Sequence, residues 1–289
     1  MTNSKLKALI LGRSGQLAQA LIATKPAHIA CISLGHREIN LAVIGEIESA
    51  IAAHRADIII NTAAYTQVDK AESEPTEAYK LNELAVANIA KAARNSNARL
   101  LHISTDYVFD GKQGTAYTTG DTPNPVNLYG ASKLAGEQAL RKNMPLGSTI
   151  VRTSSVYSQY GTNFVKTMLS LMSEKPEVRV ISDQFSSPTY AEELARFLWI
   201  VAEQDSPLPL YHWCDSGKTS WYEFAVKIQE LALKYGKLSK AIPIIPVSSQ
   251  EYGAAALRPP FSQLDTGDSQ PLLQSRPWQE NLESVIKQL

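Results

Sequence analysis

Through the first half of the chain, short apolar runs alternate with longer stretches in which apolar residues recur at helical spacing. Lys7 to Leu11, Ala30 to Leu34, Asp57 to Asn61, Arg99 to Ser104 and Thr149 to Thr153 read as strands, and Thr76 to Asn95 and Asn127 to Arg141 as helices. This βα alternation predicts a parallel sheet covered by helices on both faces, the doubly wound α/β class. Beyond Thr153 the alternation weakens, and prolines gather at Pro207 and Pro209, Pro243 and Pro246, and Pro259 and Pro260. A smaller, loop-rich C-terminal region is expected there, the kind of part in which substrate specificity often sits. Leu208 to Trp213 has the pattern of a strand returning to the main sheet. The expected division is therefore a dinucleotide-binding domain over residues 1–153 with a returning segment 188–213, and a substrate-binding region over 154–187 and 214–289.

A length of 289 residues is long for one compact core, which fits a large domain with an appendage. The 44% hydrophobic and 19% charged composition is that of an ordinary globular chain and argues against disorder. Lys plus Arg and Asp plus Glu both number 28, so no bulk cationic field exists to hold nucleic acid or an anionic membrane. An anionic substrate needs a local site. Only Cys31 and Cys214 occur, without CxxC or Cys/His spacing, which predicts neither a disulfide framework nor a zinc site and suits a reducing cytoplasm. Near the N-terminus the apolar run Ala8 to Leu11 is too short for a signal peptide or a membrane span.

The first strand runs into Gly12-Arg13-Ser14-Gly15-Gln16-Leu17-Ala18, a GxxGxxA turn that opens a helix. Glycines let backbone approach a pyrophosphate, and free N–H groups at a helix start favour an anion, so Gly12, Ser14, Gly15, Gln16 and Leu17 are candidate cofactor contacts in a Rossmann-type sheet. The same residues also suit a plain strand-to-helix turn. At the end of the second strand, an acid would hold the ribose 2′-hydroxyl of NAD, whereas this chain has Gly35-His36-Arg37. A guanidinium suits a 2′-phosphate, which favours NADPH, with Glu38 as the counter-indication that leaves NADH open. His36 and Arg37 are otherwise a solvated turn.

Tyr129-Gly130-Ala131-Ser132-Lys133 places a phenol and an ammonium on neighbouring turns of one helix. Carbonyl reduction needs an acid for the oxygen as hydride reaches carbon. A free tyrosine, with a pKa of about 10, is lowered by nearby positive charge, which Lys133 can supply while also reaching the nicotinamide ribose. YxxxK also arises by chance on amphipathic helices. Its context is what gives it meaning: Leu101 to Asp106 ends a strand in hydroxyls, and carboxyl ends of parallel strands line the ligand crevice. Thr105 is placed to hydrogen-bond the carbonyl oxygen, and His102 reads as a core residue.

In order along the chain, the GRSGQLA loop, Asn61 to Glu72, Ser104 to Phe109, Tyr129 to Lys133, Arg152-Thr153-Ser154, Asn163-Phe164, Asp183-Gln184, Ser220 to Ala225 and Arg258-Pro259 resemble the dTDP-4-dehydrorhamnose reductases, extended short-chain dehydrogenases. The resemblance covers nearly the whole chain. It implies reduction of the 4-keto group of dTDP-4-dehydro-L-rhamnose, a nucleotide-sugar substrate, with Thr105, Tyr129 and Lys133 as the catalytic set. By the same resemblance Ala63, Ala64 and Tyr65 flank the nicotinamide ribose, and Asn40 and Leu41 lie near the adenine. Asp106, Thr66 and Val68 face the substrate, and Asn163 and Arg258 meet its diphosphate. Trp221 is either an aromatic wall or a core residue beside Phe224.

Two positions depart from that family. After Arg-Thr-Ser it commonly carries a tryptophan over the sugar where this chain has Ser155, and a glycine after Asp-Gln is replaced by Ser186. Ser155 is therefore placed at the sugar wall, and another nucleotide-linked 4-keto-6-deoxysugar is the rival substrate. Some members dimerise through magnesium held by glutamates, one of them in the first helix where this chain has Ala20, so no metal is expected and monomer or homodimer stays undecided. A non-catalytic cofactor-binding regulatory subunit is the rival from another class, opposed by retention of Thr105, Tyr129 and Lys133.

Overall fold

The central apolar runs are buried because both faces of their sheet are covered, whereas the edge run Ala30 to Leu34 is only partly buried. The computed structural model describes residues 6–289; the first five residues of the expected 1–153 domain lie outside the described residues. The main sheet is built from β1 (Lys7–Leu11), β2 (Ala30–Leu34), β3 (Ile58–Asn61), β4 (Arg99–Thr105) and β5 (Ser148–Thr153), with helices α1 (Gln16–Ala23) and α2 (Ile44–His54) in the first crossovers. Between β3 and β4 run α3 (Val68–Ala71), α4 (Pro75–Tyr79) and α5 (Ala85–Asn95), and α6 (Leu128–Asn143) precedes β5. After β5 come β6 (Val156–Tyr157), α7 (Phe164–Glu174), β7 (Val178–Ile181), β8 (Phe185–Ser186), β9 (Thr189–Tyr190), α8 (Ala191–Glu203) and β10 (Leu210–His212).

The six-stranded sheet has the order β10-β5-β4-β3-β1-β2, and every neighbouring pair is parallel. One face packs α1 and α8 through Leu17, Leu21, Leu194, Leu198 and Trp199. The other packs α2, α5 and α6 through Ile47, Ile51, Ile89 and Leu140. The neighbours of β1 are β2 on one side and β3 on the other, so the chain reverses direction across the sheet at β1 and opens a crevice at the strands' carboxyl ends.

Segment 188–213 supplies β9, α8 and β10, and β10 adds to the sheet edge with Leu210 opposite Ile150 and His212 opposite Arg152. The remainder of the C-terminal part contains β11 (Thr219–Ser220), α9 (Trp221–Lys234), β12 (Ile244–Val247), α10 (Ser249–Tyr252) and α11 (Trp278–Gln288). Its own core joins α7, α9 and α11 through Val165, Phe224, Ile228 and Leu282.

One expected helix is not continuous. Thr76 to Asn95 divides into α4, a π-helical turn over Lys80–Leu84, and α5. The wider turn pushes the Asn82 carbonyl against α6, where a Cβ on Gly136 would lie 2.0 Å from it. Apolar periodicity cannot distinguish a helix with one such widened turn from a regular one.

Candidate active site

Gly12 leaves β1 with φ +111°, and a side chain there would meet Thr62 Oγ1 at 2.6 Å and the Ala63 nitrogen at 2.9 Å. Only glycine fits both that backbone conformation and that approach. Gly15 then caps α1 with no side-chain hydrogen bond, which leaves the helix start to an anion. Ser14, Gly15, Gln16 and Leu17 line one end of a cavity of about 1050 Å³, together with His36, Asn40 and Leu41. Ala63, Ala64, Tyr65 and Thr66 continue its wall, and Thr105, Tyr129, Lys133 and Ser155 line it as well. The structure thus brings the glycine turn and the catalytic candidates into one cleft.

Asn127 starts α6 by accepting from the Gly130 N–H at 2.7 Å, and its amide donates to the Leu257 carbonyl at 2.8 Å. Tyr129 therefore sits in the first turn of a capped helix. Gly130 lies so close to the strand end that a Cβ would fall 2.1 Å from the Tyr107 carbonyl. One turn further on, buried Lys133 donates from Nζ to the Ile103 carbonyl at 2.7 Å.

The electrostatics correct one expectation. Burial pushes the Tyr129 phenol up to about 12, against the pull of the neighbouring Thr105 hydroxyl and with the Asp106 carboxylate reinforcing the shift. Lys133 is not among the groups that shift it, and its ammonium donates to the Ile103 carbonyl instead. Burial also pushes Lys133 down to about 8, with Glu137 acting the other way. A phenol so shifted stays protonated near neutrality, which is the form a proton donor needs. His102 is fully buried and well below its usual range because of that burial, so it is neutral. Its Nδ1 faces the Asn61 amide at 3.1 Å.

Five sequence candidates lie elsewhere than expected, and a sixth, Trp221, takes the core alternative. Arg37 is exposed and outside the cavity lining. Arg13 instead pairs with Glu38, whose other carboxylate oxygen accepts from the Gly35 N–H at 2.7 Å, so the charged pair stands at the end of β2. Val68 opens α3 and is not part of the cavity wall. Asp106 does not face the cavity: its buried carboxylate accepts from Thr105, Ser154 and Ser262. Burial raises it to about 6, against the pull of those hydroxyls.

Asn163 is likewise occupied: its Oδ1 caps α7 by accepting from the Lys166 N–H at 3.2 Å, and its Nδ2 donates to Gln16 Oε1 at 2.8 Å and the Ser158 carbonyl at 2.7 Å. Trp221 packs on Phe164 with ring centroids 4.6 Å apart, a core contact of the C-terminal part. Arg258 grips the Asp69 carboxylate with both ends of its fork, at 3.0 and 2.7 Å. Each of these side chains is engaged by neighbours in the fold, and none lines the cavity.

Ser155 does line the cavity and has left-handed backbone, φ +46°. Its hydroxyl lies 3.3 Å from that of Ser186, so the two departures from the family pattern are neighbours in space. Neither Tyr157, whose hydroxyl donates to buried Asp215 at 2.9 Å, nor Trp221 lines the cavity in place of an indole.

Asn82 was not singled out in the sequence. Its side chain accepts from the Tyr65 N–H at 2.8 Å and donates to the Tyr65 carbonyl at 3.0 Å and to Ser132 Oγ at 2.9 Å. It thereby joins the Tyr65 wall to the helix of Tyr129 and Lys133. A polar residue inside an apolar helical pattern was the one signal for it.

A parallel nucleotide-binding sheet with a glycine turn after β1, and a Tyr-Lys pair beside a threonine at its carboxyl edge, defines the short-chain dehydrogenase/reductase class of oxidoreductases. Residues 6–289 match the pattern of the RmlD substrate binding domain, and the chain belongs to that family. The dTDP-4-dehydrorhamnose reductase of Sinorhizobium fredii is 38% identical over 266 residues, covering 90% of this chain and 88% of its own. A spore coat polysaccharide biosynthesis protein of Bacillus subtilis is 36% identical, over 98% of this chain and 97% of its own. The crystal structure of dTDP-4-dehydrorhamnose reductase from Bacillus anthracis in complex with NADP superposes with a TM-score of 0.92 at 36% identity, over 99% of this chain and 100% of that one.

Proposed function

We propose that this protein reduces the 4-keto group of dTDP-4-dehydro-L-rhamnose to give dTDP-L-rhamnose, with NADPH as reductant and NADH as a possible substitute. The observation that carries the reading is the shared cavity, which runs from the glycine turn to Thr105, Tyr129 and Lys133. Its fit to a dinucleotide rests on Gly12, where backbone can approach closely, and on the uncapped start of α1. The names of the S. fredii and B. anthracis relatives supply the substrate and the cofactor.

Bound NADPH supplies a hydride to C4 of the sugar. Tyr129 donates its phenolic proton to the ketone oxygen as negative charge develops there, and Thr105 offers that oxygen a hydroxyl. Lys133 serves the nicotinamide ribose and the proton's replacement on Tyr129. Ala63 to Tyr65 form the adjoining wall, and Asn40 and Leu41 the adenine end. We assign residues 1–153 with 188–213 to dinucleotide binding, and 154–187 with 214–289 to the sugar nucleotide. The Ser155–Ser186 hydroxyl pair favours a second reading of the sugar alone: another nucleotide-linked 4-keto-6-deoxysugar that can use a polar wall.

A cytoplasmic location is proposed on the two free thiols, Cys31 and Cys214. No helix among the described residues is long and apolar enough to cross a membrane.

Tyr129→Phe removes the proton donor and should lower turnover by at least about 10²-fold, the usual scale for general acid catalysis, while NADPH binding survives. NADPH oxidation and NADPH titration on the two proteins check this. Near-normal turnover in the variant would end the mechanism.

A further inference from the structure

Thr105 has one proton to donate, and in the folded chain that proton goes to Asp106 Oδ1 at 3.1 Å. The same threonine oxygen accepts the Tyr107 N–H at 3.2 Å. The other carboxylate oxygen, Oδ2, accepts from Ser154 at 2.9 Å and from Ser262. All four polar groups are buried, so solvent cannot replace a missing donor. Ser262 comes from far along the chain. Backbone bonds fix it there: its N–H donates to the Phe185 carbonyl at 2.9 Å, and the Phe185 N–H donates to the Pro260 carbonyl at 2.9 Å.

We infer that Asp106 and Ser262 are positioning residues that set the direction of the Thr105 hydroxyl, an inference that rests on the assignment of Thr105 to the ketone. To donate to a ketone oxygen, Thr105 must turn its proton away from Asp106. A buried carboxylate that loses a donor is destabilised, and the loss is largest when few donors remain. Ser154 and Ser262 hold Oδ2 throughout, so Thr105 can turn without leaving a bare anion. Without Ser262 the carboxylate keeps two donors, and Thr105 is held on it more firmly. The hydride step then slows, although neither Asp106 nor Ser262 lines the cavity. The C-terminal part thereby acts on the reacting atoms through one serine hydroxyl.

The test is a double-mutant cycle between Ser262→Ala and Thr105→Val, read as kcat and KM for NADPH-dependent reduction of dTDP-4-dehydro-L-rhamnose and as NADPH affinity by fluorescence. Ser262→Ala should lower kcat by about 10-fold, the scale on which a hydrogen bond to a buried charge is felt. NADPH affinity should not move, and Ser262→Thr, which keeps the hydroxyl, should restore kcat. In the Thr105→Val background Ser262→Ala should cost nothing more, because the group through which it acts is gone. Asp106→Asn, which probes the same chain from its middle, should be non-additive with Thr105→Val in the same way.

Losses that multiply, or an effect of Ser262→Ala confined to KM or cofactor affinity, would overturn the inference and leave Ser262 as a packing residue. If Thr105→Val turned over as fast as the unmodified protein, the inference would fall with the role of Thr105, while reduction through Tyr129 would stand. No NADPH oxidation by the unmodified protein with this sugar would instead remove the proposed function itself.

Discussion

Lys133 is charged at neutral pH only by a narrow margin, since burial brings its ammonium down to about 8. The charged form is present below that pH and is lost as pH rises through it. The kcat/KM for reduction should therefore fall above about pH 8, because that ratio reports ionisations of the free enzyme. Lys133→Arg, which stays charged, should lose this alkaline limb whatever its absolute rate. A profile of the native protein that stays flat through this region would show that the charge of Lys133 is not needed. Outside the cavity wall, the exposed pair Arg13–Glu38 stands at the end of β2. Arg13→Ala should weaken NADPH relative to NADH by up to about 1 kcal/mol, the worth of a solvent-exposed charge contact, and Arg37→Ala should not. Equal losses of both cofactors, measured by titration, would rule out a 2′-phosphate role for Arg13. Tyr129, Lys133 and Thr105 were legible because helix spacing and strand ends fix where they point. Asn163 and Asp106 were not, and Trp221 was legible only as one of two alternatives: a motif names the residue, but only the fold shows that a cap, two serines or a phenylalanine ring has already taken the side chain.

At the scale of elements, the five strands of the first half could be read to within a residue or so, because strands in a covered parallel sheet are dominated by short apolar runs. The π-helical turn at Lys80–Leu84 could not, since its apolar spacing is that of a helix on either side. What the turn demands is visible instead in its partner: α6 carries glycine at 136, facing the Asn82 carbonyl. Gly136→Ala places a methyl 2.0 Å from that backbone oxygen, which no rotamer change relieves. Overpacking of this kind costs roughly 1 to 3 kcal/mol, and here it also displaces the helix that carries Tyr129 and Lys133. The melting temperature and kcat should both fall. An unchanged melting temperature would show that α6 and the π-helical turn are not tightly packed.

For the whole molecule, the sequence pattern identified the class of sheet but left the path of the second half only partly drawn. The returning strand β10, expected within Leu208 to Trp213, has just three residues, and its position beside β5 rests on interactions that a local pattern does not reveal. Arg152 of β5 makes a buried ion pair with Glu137 of α6 and meets His212 of β10 at 3.4 Å. That set of contacts joins the catalytic helix, the sheet and its last strand. The C-terminal segment then crosses back to the main domain, where Leu257 meets the cap of α6 and Ser262 meets Asp106 behind the cleft wall. Such long-range returns are set by buried hydrogen bonds between single residues, and proline clustering marks only that loops are present. The central claim is that this assembly delivers a hydride to C4 of a dTDP-4-keto sugar with Tyr129 as acid. Its most direct test is one incubation of the protein with dTDP-4-dehydro-L-rhamnose and NADPH carrying deuterium at the transferable position, with the sugar product read by NMR. The account predicts deuterium at C4 of dTDP-L-rhamnose in step with NADPH oxidised, and loss of both in Tyr129→Phe; NADPH that binds without being oxidised, or deuterium absent from C4, would contradict it.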